Sequence, residues 1–141
     1  MMFSNFKKNI YSQNGEDGIL EEVLKKLDIN KSGWCCEFGA WDGKHGSNTF
    51  NLVKNFSYKA IYIESDKKKF DDLKKTESKY PSIHAINETV VKNKNFPNSL
   101  EKILEQTQIP LDFEVLSIDI DSYDLDVWET LEKYRPKIVV I

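Results

Sequence analysis

Apolar positions along the chain switch repeatedly between helical and strand-like spacing. From residue 16 to 27 they fall at Ile19, Leu20, Val23, Leu24 and Leu27, one face of a helix, with acids early and lysines late as the helix dipole prefers. Trp34-Cys35-Cys36-Glu37-Phe38 is a short apolar run, read as a strand, that opens into a glycine-bearing loop. Ser47 or Asn48 then caps a second helix through about residue 55. The alternation continues with a strand over 59–64, a lysine-rich helix over 66–79 and an extended segment over 82–90, with Pro81 separating the last two. Leu100, Ile103 and Leu104 mark a helix over 98–106, which Pro110 ends. An apolar run over 113–120 finishes in acids. A last helix over 125–134 places Leu125, Trp128 and Leu131 on one face, before Pro136 and a strand over 138–141.

Strands that alternate with helices and are apolar on both faces predict an α/β class: a Rossmann-like, doubly wound, mostly parallel sheet of order 3-2-1-4-5. At 141 residues the chain has the length of a single domain, 1–141. It stops inside the fifth strand, on the β-branched run Ile138-Val139-Val140-Ile141, so the expectation is the N-terminal part of a longer protein whose C-terminal strands are missing.

Composition narrows the function classes. Hydrophobic residues make up 40% and charged residues 30%, the proportions of a folded globular chain. All the basic residues except Arg135 are lysines, interspersed with acids to a net charge of -3, which argues against a nucleic-acid partner. No apolar stretch reaches the roughly 20 residues that span a bilayer. The start, Met1-Met2-Phe3-Ser4-Asn5-Phe6-Lys7-Lys8, lacks a signal peptide's apolar segment, so no membrane partner and a cytoplasmic location are expected. The adjacent Cys35 and Cys36 have neither disulfide nor zinc spacing and read as reduced strand residues, with a reactive thiol as the functional alternative.

All six glycines precede residue 47, and Gly39, Gly43 and Gly46 lie in the loop after the first strand. In an open α/β sheet that loop borders the ligand crevice, and glycine lets the backbone turn sharply beside a ligand. Glu64 ends the second strand 25 residues after Gly39, where a carboxylate accepts hydrogen bonds from ribose hydroxyls. Glu37 is placed to receive the ammonium of an amino-acid moiety and would repel a pyrophosphate. Trp41 replaces the middle glycine of a dinucleotide loop. Both features favour S-adenosylmethionine over NAD. Glycines in a strand-to-helix loop and an acid ending a strand also occur in α/β domains that bind no nucleotide.

Tyr11-Ser12-Gln13-Asn14-Gly15-Glu16-Asp17, Glu37-Phe38-Gly39-Ala40-Trp41-Asp42-Gly43 with Ser47-Asn48-Thr49, Ile63-Glu64 and Leu116-Ser117-Ile118-Asp119-Ile120-Asp121 occur in that order. Together they resemble class I S-adenosylmethionine-dependent methyltransferases of the FkbM-like group over nearly the whole chain. The resemblance implies that the loop with Glu37, Gly39, Ala40, Asp42 and Gly43 holds the methionine end and that Glu64 holds the ribose. It further implies that a residue near Asn87 faces the adenine and that Asp119 ends the fourth strand beside the reacting methyl. Gln13 and Asp17 join the pocket on the same basis, with Ser47 and Asn48 as further pocket candidates. The implied acceptor is a small-molecule hydroxyl of a sugar or secondary metabolite. Trp41 departs from the pattern, since methyltransferases often carry a small residue there.

Asp119, Asp121, Asp124 and Asp126 crowd the end of the fourth strand and the next helix start, where capping explains them. Asp119, Asp121 and Asp124 are also a candidate magnesium set, because alternate strand residues point the same way. Methyl transfer needs an acceptor held in line and sometimes a base. Asp119 is the leading base candidate and His45 the substitute, although an exposed loop histidine explains the latter; His84 reads as structural. The competing functions are a non-catalytic nucleotide-binding or scaffold module of the same fold and an NAD-dependent oxidoreductase.

Overall fold

Five strands fold as the period-switching requires: β1 (Trp34–Phe38), β2 (Lys59–Glu64), β3 (Ile83–Asn87), β4 (Val115–Ile118) and β5 (Ile138–Val140). In the computed structural model, which describes residues 2–29 and 32–141, they form one parallel sheet in the order β3-β2-β1-β4-β5. Met1, Asn30 and Lys31, which the 1–141 domain reading includes, lie outside the described residues. The strand order is the expected one, and it reverses between β1 and β4, opening a crevice at their carboxyl ends.

Strict alternation along the central strands builds two apolar layers. Cys36, Phe38, Ile61, Ile63, Leu116 and Ile118 face helices α4 (Leu100–Leu104) and α5 (Asp124–Glu129). Cys35, Ala60, Tyr62 and Val115 face α1 (Glu16–Lys26), α2 (Phe50–Asn55) and α3 (Lys67–Lys79). The two cysteines therefore point to opposite faces, both free and fully buried, and burial pushes both thiols well above their ordinary range. That removes the reactive-thiol alternative, since the thiolate is the nucleophile.

Several expected elements are shorter than the pattern implied. β4 ends at Ile118 rather than at residue 120, and α4 and α5 are single-turn to two-turn helices. The face expected for the last helix is corrected: Leu125 and Trp128 are 53% and 40% exposed, whereas Val127 and Leu131 are buried. The Asp124 carboxylate accepts the Ile120 N–H at 2.9 Å and fixes where the helix begins, which turns Val127 inward. The helix then ends at Glu129, before the face predicted over ten residues is complete. Asp66, read as the first residue of the lysine-rich helix, instead caps α3, accepting the Lys69 N–H at 2.9 Å. A short 3-10 turn at Phe3–Phe6 was not anticipated. No helix among the described residues is long and apolar enough to cross a membrane.

The surface assignment of Trp128 on α5 is tested against a buried residue of β4 in a stability measurement. Leu116→Ala, in the fully buried centre of the sheet, is expected to cost about 2–5 kcal/mol in urea unfolding. Trp128→Ala should cost less than about 1 kcal/mol, where a core tryptophan would cost several times more.

Candidate functional site

The loop after β1 is held from behind by a buried carboxylate. Glu37 accepts hydrogen bonds from the hydroxyls of Ser47 at 2.7 Å and Thr49 at 2.6 Å, and from the Asn48 N–H at 3.2 Å. It stands in register between Tyr62 of β2 and Ser117 of β4. The Tyr62 hydroxyl lies 3.0 Å from that of Thr49, and the Asn48 amide donates to Ser117 at 3.0 Å. A polar row thus crosses three strands and ties them to the start of α2. Burial pushes the Glu37 carboxyl upward, against the Thr49, Ser47 and Asn48 donors that favour its charged form. Ser47 also accepts the N–H groups of Thr49 and Phe50, so it caps the helix from three residues ahead of its first residue.

Within the loop the backbone turns three times through the left-handed region at glycine, with φ of +73° at Gly39, +78° at Gly43 and +67° at Gly46. Gly39 is required by space as well: a Cβ there would lie 2.2 Å from the Asp119 carbonyl oxygen. The Ala40 N–H donates to the Ile63 carbonyl at 3.2 Å, and the Trp41 N–H to a Glu64 carboxylate oxygen at 2.8 Å. Asp42 accepts the N–H groups of Lys44 and His45, each at 2.9 Å, and pairs with the His45 ring. Partial burial acts to raise its carboxyl, but the His45 ring and these N–H groups outweigh it and hold the group below its ordinary value.

A cleft of about 430 Å³ opens at the carboxyl ends of β1, β2 and β4, within the usual size of a small-molecule site. Of the residues singled out in the sequence, Gly39, Glu64, Asp119 and Asp121 are on its wall. Trp41, Ser65 and Lys69 form one rim, and Glu88, Thr89 and Val90 another. Glu64 is nearly buried, and its second oxygen accepts the Asp66 N–H at 2.8 Å, which leaves one lone pair on each oxygen.

Other candidates stand behind this wall. Glu37, Ala40, Asp42, Gly43, Ser47 and Asn48 shape the loop instead of lining the cleft. Asn87 ties β3 to the β2 exit by donating to the carbonyls of Glu64 and Ser65, so the wall on that side is the segment after it. One Asp17 oxygen collects the N–H groups of Ile10, Tyr11 and Ser12 at 2.7–2.9 Å and holds the N-terminal segment down. That segment lies against the glycine loop, where Gln13 meets Gly46, and Tyr11 packs edge-on against Phe50 at 4.7 Å. His45 and His84 are both solvent-facing, the latter 4.0 Å from Glu77, which corrects its structural assignment.

Charge on the wall is one-sided. Among the described residues on the wall, Glu64, Glu88, Asp119 and Asp121 face one cation, Lys69. Partial burial, then Asp121, Asp124 and Glu16, push the Asp119 carboxyl above its ordinary value. The magnesium set is corrected. Among the described residues no three His, Cys, Asp or Glu side chains converge as metal ligands. The strand alternation expected to align them ends at Ile118, Asp121 turns the chain with a φ of +57°, and Asp124 is engaged at Ile120.

No family model and no curated protein matches the sequence. Solved structures do resemble it in fold. TrmK from M. capricolum, solved with S-adenosylhomocysteine, matches with a TM-score of 0.51 at 18% identity over 85% of this chain and 47% of its own. Precorrin-6y C5,15-methyltransferase from Geobacter metallireducens matches with 0.55 at 10% identity, over 92% of this chain and 61% of its own. Coclaurine N-methyltransferase, bound to N-methylheliamine and S-adenosylhomocysteine, matches with 0.52 at 7% identity, over 94% and 37%. The chain spans about half the length of such structures.

Two substitutions test this construction by urea unfolding. Gly39→Ala should lose about 2–4 kcal/mol, because the new methyl meets the Asp119 carbonyl in a backbone region alanine avoids. Ser47→Ala should lose about 1–3 kcal/mol through the buried Glu37 and the uncapped α2.

Proposed function

We propose that the cleft binds S-adenosylmethionine and that the protein is a methyltransferase acting on a small-molecule hydroxyl, of a sugar or other metabolite, as the FkbM-like resemblance implies. The observation that carries the reading is the cleft wall itself: Gly39, Glu64 and Asp119 meet near the β1/β4 reversal with, among the described residues, four acids against one lysine. A cationic sulfonium and an ammonium suit that field, whereas a pyrophosphate would be repelled by it. The fold shared with methyltransferase structures supports the same reading.

Bound there, the cofactor supplies an electrophilic methyl group whose carbon–sulfur bond breaks to leave a neutral thioether. Glu64 has a free lone pair on each oxygen for the ribose hydroxyls, while the N–H groups of Trp41 and Asp66 hold its carboxylate in place. Gly39 keeps the loop backbone low against the β4 exit. Asp119 takes the acceptor's hydroxyl proton as the oxygen forms its bond to carbon. Partial burial and then the acidic neighbours raise its carboxyl, which strengthens it as a base. The dominant work is holding two reactants close and in line.

Calorimetry with S-adenosylmethionine, S-adenosylhomocysteine and NAD decides the cofactor. The expected result is binding of the first two with none of NAD; NAD binding alone would overturn the reading in favour of an oxidoreductase. Asp119→Asn should leave S-adenosylhomocysteine affinity within about threefold and lower methyl transfer to a panel of sugar and polyol acceptors, followed by S-adenosylhomocysteine release, by about a hundredfold. Binding with no turnover of any acceptor would favour the scaffold reading.

The same variant has a pH signature. A carboxyl raised in the folded state is destabilising above the unfolded value, so stability falls as pH rises through the window between the two. Asp119→Asn should therefore melt higher than the parent at pH 7 and lose that advantage below the ordinary carboxylate range.

A further inference from the structure

We infer that Trp41 is a specificity-determining residue whose indole stacks on the nucleoside end of the ligand, an inference that rests on the cofactor reading above. Three independent features of the residue converge on this. The first is that its conformation costs stability: φ is +50°, a left-handed value that bulky side chains rarely adopt. The second is that the side chain does not repay this by packing into the core. Trp41 is 48% exposed on the cleft rim, unlike the buried residues on either side of the sheet. A tryptophan held in an unfavourable turn with half its surface in water contributes little to folding.

The third feature is what the turn achieves. The Trp41 N–H is fixed on the Glu64 carboxylate at 2.8 Å, with Ala40 anchored on Ile63 just before it. The indole is thereby held one residue's reach from the group that receives a ribose. Its ring already attracts a partner: the Lys69 ammonium, also on the wall, lies 5.7 Å from the ring centroid. A flat purine joined to a ribose seated on Glu64 meets this ring as the large apolar surface on that rim. Stacking of a base on an aromatic ring is tolerant of which base is stacked and is worth roughly tenfold or more in affinity. Glycine at 41, the dinucleotide-loop residue, would remove both the strain and the platform.

The experiment compares the parent protein with Trp41→Gly, Trp41→Ala and Trp41→Phe, titrated with S-adenosylhomocysteine and separately with adenosine. Trp41→Gly and Trp41→Ala are expected to lose roughly tenfold in affinity for both ligands, and Trp41→Phe less than about threefold. Trp41→Gly should also raise the melting temperature, because glycine is at ease at this φ. Improved stability with weakened binding is a pattern a structural tryptophan would not give. S-adenosylhomocysteine should quench part of the tryptophan emission in the parent, and that change should vanish in Trp41→Phe while Trp34 and Trp128 remain. Unchanged affinity in Trp41→Ala would overturn the stacking assignment and leave the cofactor reading standing. Loss of S-adenosylhomocysteine binding alone, with adenosine unaffected, would place the indole elsewhere on the ligand and overturn it too. Failure of the parent to bind either ligand would remove both readings together.

Discussion

A carboxylate buried in a parallel sheet is the constraint on which the rest of this molecule depends. Glu37 sits where an apolar residue would satisfy the packing pattern, and a charge or a polar acid there is costly without partners. Ser47, Asn48 and Thr49 supply those partners, and doing so fixes where α2 begins. Both ends of the intervening segment are thus pinned. The chain must cover the distance in a loop that turns through the left-handed region at three glycines and at Trp41. The cleft floor follows from that path.

The succession of strands and helices was legible in the residues because it rests on periodicity, which survives any detail of packing, and the doubly wound class it implies supplied the strand order and the location of the loop. The runs read as strands start at residues 34, 59, 82 and 113, within two residues of where the first four strands begin. The division of labour inside the loop was not legible. An acid ending a buried run looks the same whether it faces a ligand or a hydroxyl ten residues later. The available signal was the Ser47-Asn48-Thr49 triplet, two hydroxyl residues placed at the start of a helix behind that acid.

The face of the last helix was misread for a different reason. Over a ten-residue window Leu125, Trp128 and Leu131 satisfy a helical face as well as Val127 and Leu131 do, and the choice lies in the start point. One capping bond from Asp124 to Ile120 sets it. The same bond, with the left-handed turn at Asp121, disperses the acids that strand alternation would have aligned. Local hydrogen bonding of aspartate overrode the longer pattern in both cases.

Gly39 and the Asp119 carbonyl touch so closely that no side-chain atom fits between them. The loop from one half of the sheet and the exit of the strand from the other therefore share a joint with no slack. Neither can shift toward the other, so this part of the floor is a closely packed plate. The parts of the cleft wall hung around that plate include Trp41, Lys69, the Glu88–Val90 segment and Ser122. A side chain can change at those positions without entering the joint, whereas any side chain at position 39 would meet the Asp119 carbonyl.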